Sequence, residues 1–182
     1  MSHLEGRSVL VGITGGIACY KAAELVRSLR KAQAQVRVMM TRAACEFVTP
    51  LTFQTLSQKP VATDLFAPVS DWEIEHISLA RGADVVVVAP ATANVIGKVA
   101  HGIADDLVTT VIMATRAPVV FCPAMNVAMW ENPIVQANIR RLAELGYRFV
   151  EPAEGDLACG EEGKGRLAEV ERIVEAVAVA LP

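Results

Sequence analysis

The chain has 182 residues and a mass of 19.5 kDa, enough for one domain that buries roughly two-thirds of its unfolded surface, with no need of a second core. A formal net charge of −3, with Lys and Arg scattered among acidic residues, excludes the basic footprint of a nucleic-acid binder. The 53% apolar content with only 5% aromatic residues predicts a core of Val, Ala, Leu and Ile, the usual filling of a sheet covered by helices on both faces.

Ser8 to Ile13 reads as a buried parallel strand ending in Thr14-Gly15-Gly16. Ile17 to Lys31 follows as a helix, with Ile17, Tyr20, Ala23, Leu25, Val26 and Leu29 at helical spacing. Val36 to Met40 is the second strand and stops at Thr41. Ala43 to Gln58 is mixed in character, and the stretch carrying Pro60, Asp64 and Pro68 reads as loop. Glu75 to Arg81 predicts a short helix. Ala83 to Ala89 holds four consecutive valines and reads as a central strand, bounded by Pro90 and feeding Ala91-Thr92-Ala93-Asn94 and a helix to about Ala100. Leu107 to Thr115 is a helix, Pro118 to Cys122 a strand, Pro133 to Leu145 a helix and Tyr147 to Val150 a last strand. This alternation predicts an α/β fold with a doubly wound parallel sheet. Between Glu154 and Arg166, four glycines (Gly155, Gly160, Gly163, Gly165) argue against any regular element. The segment is expected to be a lid or binding loop inserted before a closing helix that runs from near Val170 to Ala180.

The apolar run around Val85 to Ala91 is too short to span a bilayer, and the first residues lack the charged-then-apolar order of a secretion signal. The expectation is a soluble cytoplasmic domain covering 1–182, with no membrane partner. Cys19, Cys45, Cys122 and Cys159 form no C-x-x-C pair and have no histidine at zinc-ligand spacing, so neither a metal site nor a disulfide framework is supported.

In open parallel sheets, ligands bind outside the carboxyl ends of the strands. Thr14-Gly15-Gly16, Thr41, Thr92-Ala93-Asn94 and Ala124-Met125-Asn126 all fall there. Small residues and hydroxyls beside helix N-termini suit a phosphate. The first turn lacks both the G-x-G-x-x-G spacing and a Gly-Lys-Ser/Thr, so a mononucleotide suits it better than a dinucleotide. Asn126 is a lone carboxamide in Pro123-Ala124-Met125-Asn126-Val127-Ala128-Met129-Trp130. It either caps the following helix or holds a polar ligand, and the two roles can coexist. Of the histidines, His3 lies in a tail and His101 at a helix end, where a cap or subunit contact is expected. His76, flanked by carboxylates and apolar residues, is either a satisfied core residue or a catalytic group.

Gly12-Ile13-Thr14-Gly15-Gly16-Ile17-Ala18, His76, Ala89-Pro90-Ala91-Thr92-Ala93-Asn94, Gly102-Ile103-Ala104-Asp105-Asp106-Leu107 and the Pro123 to Trp130 motif together resemble the homo-oligomeric flavin-containing cysteine decarboxylases over nearly the whole chain. Ala158-Cys159-Gly160-Glu161-Glu162-Gly163-Lys164-Gly165-Arg166-Leu167 is similar to the cysteine-bearing substrate flap of the family's phosphopantothenoylcysteine branch, placing the flap at about 154–167. Cys19 and Glu161 depart from the common pattern without removing an implied role.

The resemblance implies a Rossmann-like or flavodoxin-like flavoprotein fold and an FMN cofactor. The FMN phosphate would lie near Thr14, Gly15, Gly16 and Thr41, with Phe47, Thr92, Asn94 and Ala124 as further flavin contacts. It implies trimers or multiples of trimers, with flavin and substrate lying across subunit boundaries and the Gly102 to Leu107 stretch partly at an interface. The implied reaction, in coenzyme A biosynthesis, converts 4′-phosphopantothenoylcysteine to 4′-phosphopantetheine by thiol oxidation, CO2 loss and flavin-dependent reduction. His76 would handle the thiol proton, Asn126 with Met129 would hold the carboxylate or adjoining amide, and Cys159 would deliver the final proton. A synthetase, fused or separate, would make the substrate. Two alternatives stand beside this reading. A peptidyl-cysteine decarboxylase is not expected to carry the Ala-Cys-Gly flap, and a non-catalytic flavin-binding regulatory subunit usually carries long acidic extensions.

Overall fold

The computed structural model describes residues 2–66, 74–156, 160 and 162–181. Strands β1 (Ser8–Ile13), β2 (Gln35–Met40), β3 (Val61–Ala62), β4 (Val85–Ala91), β5 (Val119–Pro123) and β6 (Arg148–Phe149) form one parallel sheet in the order β3-β2-β1-β4-β5-β6. That is the doubly wound order, and without the two-residue edge strand β3 it becomes the flavodoxin-like one. The strand order reverses between β1 and β4, where such folds open a crevice.

Strand alternation sorts the apolar residues into two layers. Val9, Val11 and Ile13 of β1, with Val85, Val87 and Ala89 of β4, pack against helices α1 (Cys19–Lys31) and α9 (Val170–Ala180). Leu10, Val86 and Val88 face the other way, onto α5 (Ala93–Ala100), α6 (Leu107–Ala114) and α8 (Pro133–Glu144). Val85 to Val88 are each 0% exposed, a burial worth roughly 1.5–3 kcal/mol apiece. Four shorter helices complete the layers: α2 (Arg42–Cys45), α3 (Pro50–Ser57), α4 (Glu75–Arg81) and α7 (Val127–Glu131).

The elements differ from the sequence expectation in four places. Helix α1 begins at Cys19, because Gly16-Ile17-Ala18 form a turn closed by the Cys19 N–H donating to the Gly16 carbonyl at 2.9 Å. Its buried stripe is therefore Cys19, Ala22, Leu25, Val26 and Leu29, while Ile17 and Tyr20 are 58% and 61% exposed. Strand β4 runs through Pro90 to Ala91, where its register with β5 shifts between Val88 and Ala91. A proline lacks only the donor, which a strand end can spare. Within the stretch read as loop, Val61 and Ala62 add an edge strand to β2.

The fourth difference is the largest. The glycine-rich segment forms an antiparallel pair, β7 (Ala153–Asp156) and β8 (Glu162–Arg166). Gly155, Gly163 and Gly165 adopt φ of +136°, +157° and +158°, values that residues with a Cβ rarely take. Here the glycines permit a strand geometry where their number had argued for irregularity.

Candidate functional site

A cavity of about 810 Å³ opens at the carboxyl ends of β1, β2, β4 and β5, within the range of cofactor-sized sites. Four of its polar wall residues are also helix caps, Asp106 among them, whose carboxylate accepts from the Thr109 N–H at 2.9 Å to start α6. The Thr41 hydroxyl accepts from the Ala44 N–H at 3.2 Å to start α2, and the Thr92 hydroxyl accepts from the Val95 N–H at 3.4 Å to start α5. Asn126 Oδ1 accepts from the Met129 N–H at 2.9 Å to start α7. Capping and wall position thus coincide at Asn126, and the cap fixes how the amide is oriented.

The turn after β1 contributes backbone. A Cβ on Gly15 would stand 2.5 Å from the Ala43 Cβ, so glycine there is dictated by the close approach of α2. A Cβ on Gly16 would meet only the Thr92 Cγ2, at 3.6 Å, so Gly16 leaves open space on the cavity side. The N–H groups of Gly15, Ile17 and Ala18 find no acceptor among the described residues, the Gly16 N–H faces the Cys19 sulfur, and no side chain caps α1. These donors, at the entry of a helix, make the turn receptive to an anion.

The β7–β8 pair closes the opposite side. The Met125 N–H donates to the Gly165 carbonyl at 3.0 Å, and a Cβ on Gly163 would lie 2.8 Å from the Val127 Cγ2. Lys164 Nζ sits 5.7 Å from the centre of the Trp130 ring and 2.7 Å from Glu151 Oε2. The glycine-rich segment therefore lies directly on the Asn126 segment. Gly165, Arg166 and Leu167 join the cavity wall, whereas Cys159 lies outside the described residues.

Of the residues singled out in the sequence, the cavity brings together Gly15, Gly16, Thr41, Thr92, Asn94, Ala124, Asn126 and Met129. Thr14 does not line it. Fully buried, its hydroxyl donates to the Pro90 carbonyl at 2.7 Å and accepts from the Thr92 N–H at 3.1 Å, tying the end of β1 to the end of β4. Phe47, half exposed, also stands off the wall. His76, in the first turn of α4, is likewise absent from its own chain's cavity, and its buried Nδ1 has no hydrogen-bond partner among the described residues. His101 ends α5, with Nδ1 2.8 Å from the Gly97 carbonyl.

The wall also carries Lys21, Arg42 and Lys98, to which the sequence had assigned no role, and Asp106 and Arg166, which had entered only as members of the Gly102 to Leu107 and flap motifs. Lys98 follows Asn94 by one helical turn, a spacing that places both on one face. Its ammonium lies 2.7 Å from Asp105 Oδ1 and 3.2 Å from Asp106 Oδ2. The Asp105 hydrogen bond is the main cause holding the lysine pKa above its ordinary value, and the same bond holds the Asp105 carboxyl below its own. Lys21 and Arg42 have no ion-pair partner among the described residues, leaving the wall net positive and suited to an anionic ligand. Among the described residues no group of three or more His, Cys, Asp or Glu side chains is placed to hold a metal, and no helix is long and apolar enough to cross a membrane.

The flavoprotein family's sequence profile matches residues 1–181. The chain is 55% identical over 172 residues to the coenzyme A biosynthesis bifunctional protein CoaBC of Bacillus subtilis (strain 168), covering 94% of this chain but 42% of that protein. It thus spans about two-fifths of the length of that relative. It is 43% identical over 173 residues to a probable phosphopantothenoylcysteine decarboxylase of Streptococcus mutans, covering 94% of this chain and 97% of that one. A solved PPC decarboxylase mutant complexed with pantothenoylaminoethenethiol superposes with a TM-score of 0.85 at 32% identity, over 96% of this chain and 98% of the other. With its strand-end cavity, anion-receptive first turn and matched sequence, the chain belongs to the flavoprotein family, where it groups with the phosphopantothenoylcysteine decarboxylases.

Proposed function

We propose that residues 1–182 form a single FMN-binding domain that decarboxylates 4′-phosphopantothenoylcysteine to 4′-phosphopantetheine, a cytoplasmic step of coenzyme A biosynthesis. The observation that carries this reading is the meeting, in one cavity, of the anion-receptive Gly15 to Ala18 turn with Asn126 and the β8 strand. The unpartnered N–H groups and the space left by Gly16 fit a phosphate-bearing flavin. Gly15, Gly16 and Thr41 would hold its phosphate, and Thr92, Asn94 and Ala124 its remainder. When bound, FMN supplies the electron sink that a saturated cysteine carboxylate lacks.

The chain's own residues then divide the remaining work. Asn126, with Met129 beside it, orients the substrate's carboxylate or adjoining amide. The His76 imidazole accepts the thiol proton. Because His76 stands off its own chain's cavity, it serves the cavity of a neighbouring copy, in a trimer or a multiple of trimers. Cys159 delivers a proton to the enethiolate carbon left by CO2 loss. A phosphopantothenoylcysteine synthetase, fused or separate, supplies the substrate, a reading supported by the bifunctional relative.

Purified protein supplied with FMN is expected to be yellow, to release CO2 from 4′-phosphopantothenoylcysteine, and to accumulate 4′-phosphopantetheine by mass spectrometry. His76→Asn is expected to keep the flavin and lose turnover. A protein that stays colourless with added FMN contradicts the cofactor assignment, and flavin-loaded protein that releases no CO2 contradicts the reaction.

A further inference from the structure

Helix α7 brings Asn126, at its cap, and Met129 to the cavity wall, yet none of its five residues is buried. Core packing therefore does not fix where this helix sits, and so short a helix is not held by its own hydrogen bonds. Its position is set by what touches it. At its far end Asn132 caps α8, and the Gln136 side chain donates to the Trp130 carbonyl. Along its flank runs β8, whose glycines make the approach possible. An added Cβ on Gly163 would lie 2.8 Å from the Val127 Cγ2, and one on Gly165 would lie 2.2 Å from the Met125 carbonyl oxygen.

Lys164 stands between those two glycines. Its ammonium lies 5.7 Å from the centre of the Trp130 ring, within cation–π range, and 2.7 Å from Glu151 Oε2. Among the described residues no other ion pair or cation–π contact joins the hairpin to α7. The Lys164–Glu151 pair is largely exposed and contributes little by itself, so the ring contact is the one that reaches α7. Trp130 in turn is one helical turn from Asn126, its N–H donating to the Asn126 carbonyl at 3.0 Å. What holds the Trp130 ring thus holds the turn whose other end presents the amide.

We propose that Lys164 is a positioning residue: seated on Trp130, it fixes α7 against β8 and so sets where Asn126 and Met129 stand in the cavity. The inference rests on the cysteine-decarboxylase reading for the ligand that those two residues hold.

The test is a double-mutant cycle on FMN-loaded protein, following CO2 release from 4′-phosphopantothenoylcysteine. Lys164→Met keeps the aliphatic stem and removes the charge, and is expected to lower kcat/KM about fivefold with flavin content unchanged. Lys164→Arg, which keeps a cation over the ring, should recover most of that loss. In a Trp130→Leu background the contact is already gone, so Lys164→Met should change kcat/KM by less than about twofold. An equal loss in both backgrounds would mean that Lys164 acts on the substrate directly or through long-range charge, and overturns the assignment. So does an unchanged rate in Lys164→Met. Hydrogen exchange reads the same contact without turnover: the peptide spanning 125–131 should lose protection in Lys164→Met and regain it in Lys164→Arg, and unchanged exchange there overturns the assignment as well. Flavin-loaded wild-type protein that releases no CO2 overturns the decarboxylase reading itself, and this inference with it.

Discussion

The backbone N–H of Met125 donates to the carbonyl oxygen of Gly165 at 3.0 Å, so the residue before Asn126 and the residue before Arg166 are joined directly. Two segments far apart in the chain, one carrying the carboxamide and the other the glycine-rich flap, become one wall. A Cβ on Gly165 would sit 2.2 Å from the Met125 carbonyl oxygen, a backbone atom that cannot swing aside, and its φ is +158°. Gly165→Ala is therefore expected to destabilise the fold by about 1–3 kcal/mol, read as a lower urea midpoint. An unchanged midpoint would mean that the hairpin does not hold this contact in solution.

Gly15 and Gly16 are neighbours with opposite expected behaviour. Gly15→Ala drives a methyl to 2.5 Å from the Ala43 Cβ and should cost about 1–3 kcal/mol of stability. Gly16→Ala meets only ordinary contacts, so stability should hold within about 0.5 kcal/mol. Its methyl enters the cavity, and FMN affinity in a fluorescence titration should fall about tenfold.

The Lys98–Asp105 pair has a definite sign with pH. Asp105 has a folded pKa below its ordinary value because Lys98 hydrogen-bonds its charged form. Its contribution is present above the ordinary value of 3.8 and is lost as pH falls through the depressed folded value. Lys98, raised by Asp105, contributes fully below its ordinary 10.5, and that share is lost only as pH rises through the folded value. Asp105→Asn should therefore be less stable than wild type at pH 7, with the difference shrinking below about pH 4. A difference that persists unchanged into strong acid would remove the pair as its cause.

Thiol reactivity should follow burial. Burial is the main cause raising the pKa of Cys19, Cys45 and Cys122 alike, but Cys19 and Cys122 are fully buried and Cys45 only partly so. Of these three, Cys45 should be alkylated first by iodoacetamide in the native protein, with Cys19 and Cys122 modified only on unfolding. Peptide mapping that found Cys122 labelled at native rates would contradict the packing of β5.

The doubly wound sheet was legible because its cause is local. Four consecutive valines, glycine turns and helical spacing are written in adjacent residues. Thr41, Thr92 and Asn126 were legible as rim residues because strand ends announce themselves in the chain. What escaped depended on distant partners. Gly15 is glycine because of Ala43, and Thr14 is buried because Pro90 and Thr92 take its hydroxyl. Ile17 and Tyr20 looked like core residues until the Gly16 turn moved the start of α1. Lys98 drew no role from the sequence and Arg166 only membership of the flap motif, since the folded hairpin and the α5–α6 connection bring them to the cavity.

The central claim is tested most directly by comparing kcat/KM for 4′-phosphopantothenoylcysteine with that for a cysteine-ended peptide, on FMN-loaded protein, following CO2 release. The account predicts turnover of the phosphorylated substrate with a clear preference over the peptide. CO2 release from the peptide alone, or from neither, would contradict it.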